Sequence, residues 1–504
     1  MNFRFLFGLF ICGIFPISLY AQGSLGIFDN HQDVGKNVKN PGSAKYDVQT
    51  QEYTITGSGI NMWGSEDQMH YVWKSIQGDF IVRAHIRFIG DGVDPHRKAG
   101  WTIRNNFDTG SPMVNASLHG DGLTSLQFRR TKDAITEQVI SPDSSGNVIQ
   151  LERRDGVYYM STAKFGEPFT TVKIDSINLR NEVFAGIYVC SHNQDVYETA
   201  VFSNVRIVKP PKQGYIPYTD YIGSHMELMD VNSGHREILF SSAHSIQAPN
   251  WTPDGKTLIY NSNGYLYNYD MDSKAISMLN TGFAVNNNND HILSLDGKDI
   301  AISNHSAENN GVSTIYTLPI SGNDNPQRIT PLGAGASYLH GWSPDKKDLI
   351  YTAHRKDQYD IYKINLNDKK EIQLTNLKTL DDGSEFSPDG KYIYFNSART
   401  GTMQIWRMNS DGSEQTQLTS DEFNDWFPHV SPDGKWIVMI SYLPEVNAAD
   451  HPFYKQVYLR LMPVDGGKPK VIAYLFGGQG TINVPSWSPD SKKITFVSNS
   501  DTIQ

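Results

Sequence analysis

Beyond residue 24 the sequence alternates apolar and polar side chains in short runs, and clusters of Gly, Pro, Asn and Asp separate the runs. A period of two marks strands with one face turned to a core. In the first half the pattern runs through residues 51–56, 80–88, 99–104, 123–129, 157–161 and 184–190, with no longer repeat. Strands so spaced read as an antiparallel sandwich over residues 24–208. Residues 208–217 then hold three prolines in ten positions. That predicts a stiff extended linker at 209–217, with the domain boundary near residue 211.

The second half repeats. The segments WTPDG at 251–255, LSLDG at 293–297, WSPDK at 342–346, FSPDG at 386–390, VSPDG at 430–434 and WSPDS at 487–491 align with one another. Their aspartates, Asp254, Asp296, Asp345, Asp389, Asp433 and Asp490, lie 42, 49, 44, 44 and 57 residues apart. A β-patterned repeat of about 44 residues is one four-stranded propeller blade. In each turn Pro fixes φ, Asp accepts a local hydrogen bond and Gly takes positive φ. The aromatic before the turn is expected to pack between neighbouring blades. The last strand, about 492–498, leaves its blade two strands short, and residues 225–231 and 236–240 can supply them. The fold class is therefore all-β, a sandwich followed by a six-bladed propeller over 218–504, closed by both ends of its own chain.

Composition narrows the function. Residues 1–21 combine Arg4, an apolar run and a small Ala21, the pattern of a cleaved signal peptide, so a periplasmic or secreted protein is expected. No later apolar run is long enough for a transmembrane helix. Cys190 is then the only mature cysteine, and its run 185–191 reads as a buried strand. Net charge is −10 and pI about 5.8, which argues against nucleic acid as a partner.

The Trp-Ser-Pro-Asp-Gly-Lys repeat, followed by an apolar strand and the loop Ser397-Ala-Arg-Thr-Gly401, resembles the TolB-type six-bladed β-propellers over about residues 215–504. That resemblance implies periplasmic binding of protein partners. Related propellers serve as enzymes, among them oligogalacturonate lyases with a metal at the propeller centre. The order of strands in 24–208, with Gly78-Asp-Phe80 opening a long strand, is similar to concanavalin-like jelly rolls, which implies a glycan-contacting face. Trp63, Trp73, Trp101, His119, Arg129 and Arg130 are candidates for it, with packing in the core as the other reading.

The first strand of each blade lines the central channel. Repeats of this kind read Pro-x-Trp-Ser-Pro-Asp. Here His291 and His340 replace the Pro in blades two and three, and Asn250, Glu385, His429 and Ser486 occupy position x in blades one, four, five and six. His291, His340 and His429 suit a divalent transition metal such as zinc or manganese. Glu385 and His429 suit acid–base catalysis. Asn250, His305, His354, Arg355, Arg399, Trp426, His451 and Gln479 are expected to contact a ligand. The runs 286–289 and 381–382 read as solvated loops. These residues support three functions: binding of an oligosaccharide at a His/Glu-lined funnel, in bacterial glycan uptake or breakdown; a metal-dependent carbohydrate lyase or glycoside hydrolase; or a Tol-like scaffold for protein partners.

Overall fold

The computed structural model describes residues 25–216 and 218–501. The expected signal peptide lies outside them. All described regular structure is strand except one short 3-10 turn, Ala307–Asn309. No helix among the described residues is long and apolar enough to cross a membrane.

The N-terminal half is a β-sandwich of two seven-stranded sheets whose paired strands all run antiparallel. One sheet has Glu182–Cys190 and Lys98–Arg104 near its centre, and the other has Phe80–Ile89 and Glu198–Val208. Alternation selects the buried faces. Ala99, Trp101 and Ile103 from one sheet share a core with Val82, Ala84 and Ile86 from the other. Cys190 is buried as its sequence context implied, and burial pushes its thiol up to about 11. Trp101 and Arg129 are fully buried, and Arg129 forms a two-pronged pair with the equally buried Asp67. Neither can contribute to an exposed glycan face. Trp63 and Arg130 stay at the surface, Arg130 paired with Glu137.

The C-terminal half is a six-bladed propeller. Five sheets of four strands begin at Gln247–Trp251, Asn287–Leu293, Ser337–Trp342, Asp381–Phe386 and Asn424–Val430. The sixth sheet joins Lys493–Ser500 to Gly223–Asp230 and Arg236–Ser242, and Trp487 bridges to Ile494 on its inner side.

The repeated turns are built identically. In all six, the Ser or Thr hydroxyl donates to the turn aspartate, and the backbone N–H two residues past that aspartate donates to the same carboxylate. The Ser or Thr oxygen in turn accepts the first N–H of the following strand. Asp389→Ala removes two of these bonds at a largely exposed site. It is expected to cost about 1 kcal/mol in urea unfolding, and an unchanged midpoint would show the turn to be held by Pro and Gly alone. Trp342 and Trp487 donate through Nε1 to Ile292 O and His429 O of the preceding blades, the inter-blade packing expected of these aromatics.

The segment between the halves is not a free spacer. Asp501 N–H donates to Lys209 O, Lys209 N–H donates to Ser500 Oγ, and Tyr215 packs edge-on against Tyr454. The sandwich lies directly on blades five and six. Gln456 joins Gln150 and Glu152, Tyr458 OH accepts from Phe169 N–H, and Arg83 donates to Tyr474 O.

Candidate functional site

A cavity of about 920 Å³ opens on the propeller axis. All six blades contribute to its wall, for example through Gln247, Asp290, His340, Asp382, His451 and Asn483. Amides dominate the upper wall: Asn261, Asn263 and the run 286–289. Tyr218, Tyr221 and Phe453 line its mouth. Both tyrosines pack edge-on against Phe453 yet remain 56% and 43% exposed.

The floor gathers ionisable groups. Asp382 Oδ1 accepts from Thr352 Oγ1 at 2.6 Å and from the Gly383 N–H at 2.8 Å. His340 Nε2 lies 2.8 Å from the same oxygen, and His451 Nε2 lies 4.0 Å from Asp382 Oδ2. Burial opposes ionisation of Asp382, but the charge and contact of His340, with His451 and Thr352, outweigh it and hold the carboxyl down at about 2. The His340 imidazole is raised in return: burial works to neutralise it, and Asp382, Asp290 and Glu385 overcome that. Asp290 moves the other way. Burial first, then the Asp382 charge, push it up to about 6 against the pull of His340. Two carboxylates in one cavity are thus driven apart in acidity, so that between about pH 2 and about pH 6 Asp290 holds a proton while Asp382 is ionised.

The sequence-derived site divides in two. His340, His305, His451 and Gln479 line the cavity. Asn250, Glu385 and His429 do not. In blades one to five the register between the first two strands slips once, between Gln247 and Asn250, Asn287 and His291, Leu339 and Gly341, Asp382 and Glu385, and Trp426 and His429. Such a bulge re-aims the side chains beyond it, here into the seams between blades. Asn250 donates to Pro485 O and accepts from Leu293 N–H. Glu385 accepts the Val430 N–H and meets His429 Nδ1 at 2.6 Å, and His429 Nε2 meets Ile482 O at 2.6 Å. These residues staple neighbouring blades, with their polar atoms occupied.

His291 is likewise buried, its Nε2 3.2 Å from Ile259 O, and burial lowers it to about 4. His291, His340 and His429 therefore do not converge. Among the described residues, no three His, Cys, Asp or Glu are placed to hold a metal ion. Arg355 pairs with Glu371, Arg399 with Asp381, His354 packs on Tyr359, and Trp426 is buried against His451. None of these four lines the cavity.

Two runs read as solvated loops are corrected. Asp381 is fully buried, Asn287 and Asn289 nearly so, and Asp382 forms part of the floor. Asp290, Tyr338, Tyr218 and Tyr221 were missed altogether. For Asp290 a signal was present: it directly precedes His291, in the strand already assigned to the channel.

Fold and cavity together define a six-bladed propeller with a polar axial funnel. A family model of the TolB β-propeller domain matches residues 334–449. A protein of Agrobacterium fabrum is 41% identical over 275 residues, covering 54% of this chain and 92% of its own length. The solved structure of a TolB candidate from Agrobacterium tumefaciens is 40% identical with a TM-score of 0.53, covering 56% of this chain and 99% of that one. The chain belongs to this TolB β-propeller family. TolB from Acinetobacter baumannii, 17% identical with a TM-score of 0.40 over 65% of this chain and 79% of its own, adds nothing to that assignment.

Proposed function

We propose that the protein is an exported, periplasmic or secreted, binding propeller whose axial funnel holds an oligosaccharide, in bacterial glycan uptake or breakdown. The observation that carries this is the lining. Among the lining amides, Asn263, Asn286 and Asn289 can both donate and accept, as sugar hydroxyls require, and aromatic rings at the mouth offer flat faces for pyranose rings. The described lining includes no Lys or Arg. A uronate chain would meet two carboxylates and no strong cation there, so this lining does not favour a uronate lyase. The sandwich, similar to concanavalin-like jelly rolls, would add a second surface beside the funnel.

Glycan-array screening of the full chain, followed by calorimetry on the hits, tests this reading. Asn286→Ala and Gln479→Ala each remove a polar group from the lining and are expected to weaken binding about tenfold. Absence of any glycan binding by a protein with an intact unfolding transition would overturn it.

A further inference from the structure

Among the described residues most buried carboxylates meet an arginine, and the three that do not, Glu385, Asp360 and Asp290, differ in what holds them; Glu385 is held by His429 and the Val430 N–H. Asp67 meets Arg104 and Arg129, Glu198 meets Arg97, Glu227 meets Arg206 and Arg236, Asp381 meets Arg399, and Asp425 meets Arg460. Asp360 has no such partner but accepts from three side chains, Gln358, Gln373 and Thr375. Asp290 is 4% exposed, and its carboxylate accepts from Asn288 Nδ2 at 2.7 Å. It meets neither Lys nor Arg, and it lines the funnel.

The neighbours do not make up the deficit. His340 lies against Asp382, so one imidazole serves two carboxylates. His340 is 5% exposed, and its Nε2, although 2.8 Å from Asp382 Oδ1, is not aligned for a hydrogen bond. His451 stands further off, and its Nδ1 has no partner. Phe427 and Tyr338 complete the floor with aromatic rings, and such rings favour a cation over their faces. Phe427 holds φ at +52°, unusual for a bulky side chain, as part of this wall.

We propose that the funnel floor between Asp290 and Asp382 takes the protonated amine of its ligand, so that the oligosaccharide is one bearing a free amino sugar. This rests on the oligosaccharide reading above and narrows it. The ammonium supplies the cation that Asp290 lacks. An acetylated amine brings no charge, and its added bulk must share a floor already filled by imidazole and aromatic rings.

The test is calorimetry on the full chain with three oligomers of equal length: fully deacetylated chitosan oligomers, the same oligomers fully N-acetylated, and neutral cello-oligosaccharides. The free amines are expected to bind at least about tenfold more tightly than either neutral series. Asp290→Asn and Asp382→Asn are each expected to erase most of that preference, read as the ratio of the affinities for the charged and neutral series. Unfolding curves establish that both variants are folded. Equal affinity for the charged and neutral series overturns the amine inference and leaves the oligosaccharide reading standing. So does a preference that survives in both variants. Binding of none of the three series overturns the amine inference, and the oligosaccharide reading then stands or falls on the glycan array.

Discussion

Glu227→Ala is expected to lower the unfolding free energy by about 3–5 kcal/mol at neutral pH, because it strands two buried arginines. Glu227 is fully buried. Its Oε1 accepts from Arg236 Nη2 at 2.7 Å and from Ser498 Oγ at 2.5 Å, and its Oε2 accepts from Arg206 Nη2 at 2.6 Å and Arg236 Nε at 3.0 Å. Arg206 belongs to the last sandwich strand, Arg236 to the outer strand of blade six and Ser498 to the C-terminal strand. One carboxylate therefore ties both halves of the chain to the sixth blade. Burial alone would raise its pKa, but Arg206 and Arg236 outweigh burial and hold it far below the ordinary 4.5. A depressed carboxyl contributes stability that is present above the unfolded value and lost as pH falls towards the folded one. The deficit of the variant should be full at pH 7 and shrink below about pH 4. Guanidinium unfolding at both pH values measures it, and a loss under about 1 kcal/mol at pH 7 would show the cluster to be dispensable.

Asp290→Asn is expected to act in the opposite direction. The unfolded carboxyl titrates near 3.8 and the folded one near 6, raised chiefly by burial. The folded chain holds its proton more tightly, so wild-type stability falls as pH rises from about 4 to about 6. Above that range the ionised, buried Asp290 costs roughly 3 kcal/mol. Asparagine has no charge to desolvate, and it can still accept from Asn288. The variant should match the wild type at pH 4 and exceed it by up to about 3 kcal/mol at pH 7. Lower stability at pH 7 would show that Asp290 supports the fold. Higher stability together with lost ligand preference identifies it as a group retained for function at the expense of the fold.

What was legible in the sequence follows from the range of the interactions. The six turns were readable because each is made by Ser, Asp and an N–H within five residues of one another. The blade count followed from them, and the sandwich strands were readable from local alternation alone. The site was only partly readable, because the bulges depend on pairing between strands. Glu385 and His429 occupy channel-lining positions if alternation is unbroken, and the slip beyond Asp382 and Trp426 sends them into the seams. Asp382, on the funnel side of its slip, looked like half of an acidic loop. Tyr218 and Tyr221 were hidden for another reason. They lie between the linker read at 209–217 and the first propeller strand assigned at 225–231, and only packing against Phe453 brings them to the mouth.

The sixth sheet also fixes an order of events during synthesis. Gly223–Asp230 pairs with Lys493–Ser500 along its whole length, so its inner edge has no native partner until the ribosome has made the rest of the propeller. The nascent sandwich, complete by Val208, can fold in that interval and stand beside the waiting strand. An open edge is a template for pairing with another chain. The vulnerable period of this protein is therefore the time for which its first propeller strand waits for its last, and whatever lengthens that wait would raise its tendency to aggregate without changing a single contact of the finished ring.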